Sequence, residues 1–154
     1  MTAHILNPSL DPDFPATFSQ RTVDGILRKE MRYSKIIFSD DLEMKAITEH
    51  YGAEEAAVLA LRAGCDCLIL RGDFGPPIKQ IEAIIKAIED KRLSKEQLEM
   101  SAARISGCKK TYADTKSPID VTAVTKSIGL PEHFRLADCI NKKELPPDLE
   151  GEDV

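Results

Sequence analysis

No uncharged apolar run in the chain exceeds a few residues, so nothing in it is long enough to span a bilayer. A basic block is also missing. With 21 Lys and Arg against 26 Asp and Glu the net charge is -5, which argues against nucleic acid as a partner. No secretory signal is expected, because the opening MTAHILNPSL has no positive region and meets a proline at residue 8. Histidine is scarce, and His4, His50 and His133 are scattered. The cysteines, Cys65, Cys67, Cys108 and Cys139, contain no Cys-x2-Cys pair, the spacing a zinc site usually needs. No metal and no cofactor are therefore expected. Reduced, buried thiols in a cytoplasmic protein are the expected use of these cysteines.

What is present is an ordinary globular balance, 42% apolar and 31% charged residues over 154 positions, enough for one domain with a core. MTAHIL (1–6) reads as a short strand and runs into NPSLDPDFPATFS, a loop dense in Pro, Asp and Asn. Ser19 is a candidate N-cap for a helix in which Val23, Ile26, Leu27 and Met31 recur at helical spacing. KIIFS (35–39) is a second strand. GAEEAAVLALRAG is a helix of small residues stopped by Gly64, and CDCLIL (65–70) is a third strand. Pro77 fits the first turn of a helix whose apolar stripe is Ile78, Ile81, Ile84, Ile85 and Ile88. Leu93 and the capping box SKEQ open another helix carrying Leu98, Ala102 and Ile105. The tail holds one short helix near 131–142 and a solvated acidic end, ELPPDLEGEDV.

Strand starts about thirty residues apart, separated by helices, are the spacing of βαβ units and predict an α/β fold with a parallel sheet. The strands are short and continuously apolar, as strands buried on both faces are. Long strand-to-helix loops and short helix-to-strand links favour part of a (β/α)8 barrel over an open sheet. Thirteen residues follow the first strand, whereas Gly64 turns directly into the third. This puts the adjacent carboxylates Asp40 and Asp41, in KIIFSDDLEM, at the C-terminal end of the middle strand, where barrels present their chemistry. The plainer alternative is that one of them caps a turn.

MTAHILNPSLDPDFPATFS, KIIFSDDLEMKAITEHYG and EEAAVLALRAGCDCLIL resemble, in order and spacing, the later part of glycoside hydrolase family 3 in its β-N-acetylhexosaminidase branch. The likeness runs from residue 1 to about 112 and continues more faintly in GLPEHFRLAD. Its most specific marks are the AH strand with its proline-rich loop, the SDD-L-x-M strand end and the AG-x-D that leads into the third strand. The β-glucosidase branch tends to carry an aromatic residue where Asp41 stands, so SDDLEM points to the amino-sugar branch.

The resemblance implies that residues 1–112 are about strands 6–8 of a (β/α)8 TIM barrel with their helices, and that 113–154 are an extension with a short helix and acidic tail. It implies a retaining hydrolase of N-acetyl amino sugars, its substrate a small carbohydrate such as an N-acetylglucosaminide. Asp40 matches the catalytic nucleophile, a role that needs an ionised carboxylate. Asp41 is expected to turn away and bond loop backbone, since two carboxylates aimed at one point raise each other's pKa. Met44 and His4 match positions bordering the sugar, although core packing for the methionine and a buried, hydrogen-bonded histidine remain open.

One departure stands out. Retention also needs an acid for the leaving oxygen. In the amino-sugar branch an Asp–His pair supplies it after the fifth strand, preceded by a Lys-His-Phe-Pro-Gly-His-Gly type sequence, and neither is present here. Glu43, His50 and Asp73 are the nearby titratable groups, and nothing in their spacing recommends them. The chain is thus expected to be a fragment, inactive alone, with sheet edges open to a complementary half-barrel or to self-association. Two rival readings are another TIM-barrel enzyme and a non-catalytic α/β interaction module.

Overall fold

The computed structural model describes residues 1–72, 77–113 and 120–144. The chain falls into two compact units, Met1–Asp114 and Thr115–Val154. The larger carries in order a π-helix (Arg21–Glu30), strand β1 (Phe38–Asp41), helices α1 (Lys45–Thr48) and α2 (Ala53–Ala63), strand β2 (Cys67–Ile69), and helices α3 (Ile78–Glu89) and α4 (Lys95–Tyr112). β1 and β2 pair in parallel. A parallel pair needs a crossover, which α1 and α2 supply. The architecture is α/β, as expected.

The strand expected over 1–6 does not form. Thr2 N–H donates to the Phe38 carbonyl at 2.9 Å, and Ile5 C=O turns instead to Ala16 N–H at 2.9 Å. Ile5 and Leu6 are exposed. A segment with one backbone bond to β1 stays outside the ladder without becoming a strand. Among the described residues the expected three-strand arc is therefore two strands, and the sheet alone does not display a barrel.

The helix expected after Ser19 is present but wound more widely. Ser19 Oγ accepts from Thr22 N–H at 3.0 Å, the expected capping bond. Met31 N–H then donates to Ile26 C=O, five residues back, at 2.9 Å. Such winding takes positions off a 3.6-residue stripe, so Val23 is buried while Met31, expected on the same stripe, is exposed.

α2 is the hub of the core. Its Ala56, Leu59, Ala60 and Ala63 join Phe18, Val23, Ile37, Leu42, Ile47 and Cys65 in one cluster. Its Val58 and Leu61 join Ala87 and Leu93 in a second. Small side chains allow this helix to be covered from both sides. Gly64 ends it with φ +119°, a conformation L side chains rarely adopt, and a Cβ there would lie 3.2 Å from Val23 Cγ1. Gly64→Ala is expected to cost about 1–3 kcal/mol, read as a lower urea midpoint at unchanged slope.

The isoleucine stripe of α3 splits. Ile84 and Ile88 pack toward α2 beside the buried Ala87, whereas Ile78, Ile81 and Ile85 are exposed. In α4, Ser94 Oγ accepts from Gln97 N–H at 3.2 Å. The other half of the expected capping box does not close, because Gln97 Nε2 donates across to Leu61 C=O at 2.6 Å and ties α4 to the end of α2.

Immediately before β2 lies a buried carboxylate. Asp66 accepts from Ile37 N–H at 2.8 Å, Ser101 Oγ at 2.7 Å and Arg104 Nε and Nη2 at 2.9 and 2.7 Å, and it pairs with Arg28 as well. Of the four free cysteines Cys65 alone is buried and the others are half-buried, which corrects the expectation of buried thiols throughout. Burial, and after it the neighbouring Asp66 charge, push the Cys65 thiol up to about 12.

In the smaller unit α5 (Val121–Thr125) is capped by Asp120 Oδ1, which accepts from Thr122 and Ala123 N–H. α6 (Pro131–Lys142) stands where the short helix was expected. Residues 145–154 of the expected acidic end lie outside the described residues. No described helix is long and apolar enough to cross a membrane.

Candidate active site at the end of strand β1

β1 does not run evenly into its acidic end. Phe38 pairs with Cys67 but Asp41 with Ile69, three steps along β1 against two along β2, so the strand bulges between them. Bulges re-aim side chains and occur next to active sites. Ser39, fully buried, repairs the ladder with its side chain, accepting Ile69 N–H on Oγ at 2.9 Å.

Asp40 sits on this bulge, half-buried. Its Oδ1 accepts from the N–H of the next residue, Asp41, at 2.8 Å. Its Oδ2 has no partner among the described residues. Asp41 bonds loop backbone as expected, its Oδ1 accepting from Glu43 N–H at 3.0 Å in the following turn. Each carboxylate thus holds one backbone N–H on Oδ1, Asp40 at the strand end and Asp41 in the turn that follows.

The other expected residues gather at the same end. Met44 stands just before α1 with its N–H on Asp41 C=O at 3.1 Å and its side chain 44% exposed. His4 lies half-buried beside β1, but both ring nitrogens are committed to protein: Nδ1 to Thr17 Oγ1 at 3.0 Å and Nε2 to Asp41 C=O at 2.9 Å. Of the stand-ins for an acid, Glu43 is buried, with Oε2 accepting Gly72 N–H at 2.8 Å, and so fastens the chain leaving β2 to the turn leaving β1. His50 is exposed on the turn after α1, and Asp73 lies outside the described residues.

Three contributors escaped the sequence reading: Thr2, Thr17 and the Ser39 hydroxyl. Spacing alone carried no signal for them, because their partners lie 13 to 38 residues away. A groove of about 520 Å³ opens at the other end of β1, lined by Tyr33, Ile36, Phe38, Cys108 and Tyr112 among others, and Asp40 does not line it.

The chain is thus an α/β domain with two carboxylates, each held on one oxygen by a backbone N–H, at the C-terminal end of a parallel strand, the end at which α/β barrels place their chemistry. Residues 1–107 match the profile described as "Glycosyl hydrolase family 3 N terminal domain", and the chain belongs to this family. A "Beta-hexosaminidase" of Idiomarina loihiensis is 34% identical over 114 residues, 72% of this chain and 34% of the relative. A "Beta-hexosaminidase A" of Pseudoalteromonas piscicida is 28% identical, over 88% of this chain and 25% of the relative. Among solved structures, a glycoside hydrolase family 3 beta-N-acetylglucosaminidase from Paenibacillus sp. matches with TM-score 0.75 and 32% identity, over 94% of this chain and 28% of that one. CbsA from Thermotoga neapolitana matches with TM-score 0.67 and 32% identity, over 72% of this chain and 24% of that one. The chain thus spans about a third or less of the curated relatives it matches.

Proposed function

We propose that this chain carries the nucleophile side of a retaining β-N-acetylhexosaminidase site, with Asp40 as the nucleophile and Met44 and the ring of His4 bordering the N-acetyl sugar. Residues 1–112 are then the last part of a (β/α)8 barrel. The uncovered Ile78, Ile81 and Ile85 of α3, and Phe38 on the sheet, are the surface that further βα units, from the same protein or a complementary chain, cover.

The observation that carries the reading is the half-buried Asp40 carboxylate at the strand end, one oxygen held by Asp41 N–H and the other free. The free oxygen attacks the anomeric carbon, a covalent ester forms, and the leaving oxygen must take a proton. Among the described residues Glu43 is occupied with Gly72 N–H and no hydrogen-bonded Asp–His side-chain pair stands near Asp40, so in this reading the proton comes from outside these residues. The chain alone does not turn over aryl glycosides.

An N-acetyl-β-glucosaminyl fluoride separates the two halves of the reading, because fluoride departs with far less need of an acid. The expected result is one N-acetylhexosamine adduct on the peptide holding Asp40, accumulating because no base activates water, and absent in Asp40→Asn. No adduct at saturating reagent, or one that survives Asp40→Asn, overturns the nucleophile assignment. Steady turnover of an aryl N-acetyl-β-glucosaminide by the chain alone, abolished in Asp40→Asn, overturns the missing-acid half.

A further inference from the structure

The bulge in β1 leaves the Asp40 peptide outside the β1–β2 ladder. Ile69 N–H, which a regular parallel pairing would give to a β1 carbonyl, goes to Ser39 Oγ at 2.9 Å. On the opposite edge the Asp40 N–H has no strand to meet, and it donates to Thr2 Oγ1 at 3.1 Å. Thr2 Oγ1 lies 2.9 Å from Thr17 Oγ1, and Thr17 Oγ1 lies 3.0 Å from His4 Nδ1. His4 Nε2 closes the path 2.9 Å from Asp41 C=O.

With the His4 ring neutral, the chemistry of the ends sets the direction of each bond between them. A carbonyl only accepts, so His4 carries its proton on Nε2 and donates to Asp41. In the neutral ring Nδ1 is then bare and accepts, so the Thr17 hydroxyl donates to it. With that proton committed, Thr17 Oγ1 accepts from the Thr2 hydroxyl, and Thr2 Oγ1 accepts from Asp40 N–H. Each hydroxyl gives one bond and takes one. The circuit begins on the amide of Asp40 and ends on the carbonyl of Asp41, so it grips two successive peptide groups at the turn. An imidazolium would donate from both nitrogens and reverse the Thr17 link, turning the Thr2 proton from Thr17 toward the weaker acceptor, the Cys65 sulfur. Thr17 is fully buried, the Phe18 ring lies beside His4 with centroids 6.4 Å apart, and the buried Cys65 thiol, a weak acceptor, adjoins Thr2. Little else competes for these protons.

We propose that Thr2, Thr17 and His4 are positioning residues, a one-directional hydrogen-bond circuit that holds the bulged Asp40–Asp41 backbone so that the free Asp40 oxygen keeps its aim. Its catalytic meaning rests on the reading of Asp40 above, but its experiment uses no turnover and stands or falls separately from it.

The test is site-resolved on the full chain. Long-range ¹⁵N correlation of the imidazoles is expected to show His4 neutral with the proton on Nε2. A His4 with the proton on Nδ1, or charged at neutral pH, overturns the proposal without any variant being made. Amide exchange then reads the far end. Thr2→Val is expected to speed exchange of the Asp40 amide about 2- to 12-fold, the worth of one net hydrogen bond, while Ile69 N–H, held by Ser39, keeps its rate. Thr17→Val, which does not touch Asp40, is expected to speed the same amide, and Thr17→Ser to restore it. His4→Gln, which offers a carbonyl and an amide N–H at similar separation, keeps Asp40 protected, and His4→Phe does not. Unchanged Asp40 exchange in Thr17→Val and His4→Phe overturns the circuit. A general loosening that speeds Ile69 equally, and that Thr17→Ser fails to reverse, overturns it as well by reducing these residues to ordinary packing.

Discussion

Asp66→Ala is expected to remove about 3–5 kcal/mol of folding stability, the cost of stripping one partner from a buried charge cluster. Against total stabilities of about 5–15 kcal/mol this leaves a large unfolded population, read by urea denaturation or by the thermal midpoint. The reason lies in what the carboxylate joins. It takes Ile37 N–H from the start of the β1 region, Ser101 and Arg104 from α4, and Arg28 from the π-helix, with its own side chain 0% exposed. Without it two partly buried guanidinium groups and a backbone N–H lose the carboxylate that joined them. Replacing the cluster with matched apolar residues would cost far less, because the penalty comes from the charges left behind.

The same group sets an acid limit. Burial raises the Asp66 pKa, but the bonds from Arg104, Ile37 N–H and Ser101, with the nearby Arg28 charge, outweigh it and hold the carboxyl below its ordinary value. A carboxyl whose folded pKa lies below its unfolded one binds fewer protons in the native state. Its contribution is therefore fully present above the unfolded value, about 3.9, and is lost as pH falls through the lowered folded value. Wild type is expected to lose stability across that acid window, and Asp66→Ala to lose less there.

The second large effect concerns Asp40. In a protein that joins these residues to the acid-bearing part of the barrel, Asp40→Asn is expected to lower kcat by about 10⁴-fold or more, the scale seen when an enzyme loses its nucleophile or a partner acting with it. Asparagine keeps an acceptor for Asp41 N–H, now at 2.8 Å, so the turn holds and the thermal midpoint stays close to wild type. On the proposed reading, what is lost is the charge that attacks the anomeric carbon. A full kcat in Asp40→Asn would remove the nucleophile from this residue, and a kcat lost together with the midpoint would mean that the substitution acted on the fold.

Much of the frame was legible locally. The small-residue helix with Gly64 at its end, the helix over 131–142, the Ser19 and Ser94 caps and the bond of Asp41 to loop backbone all depend on residues within a few positions of one another. Propensity and capping act at that range, so pattern suffices. The N-terminal strand failed for the opposite reason. MTAHIL has a strand's composition, but a strand exists only where a neighbour answers its hydrogen bonds, and a single bond to Phe38 does not make a ladder.

By itself, then, the chain's order of residues determined an α/β alternation, the placing of Asp40 at a strand's end, and the likeness to glycosyl hydrolase family 3 that residues 1–107 share. Only the tertiary structure decided that β1 bulges there, that a circuit of Thr2, Thr17 and His4 grips the Asp40–Asp41 backbone, and that Asp66 gathers two arginines just before β2. Hydrogen bonds between residues tens of positions apart depend on where the fold delivers each donor, and no local pattern encodes that.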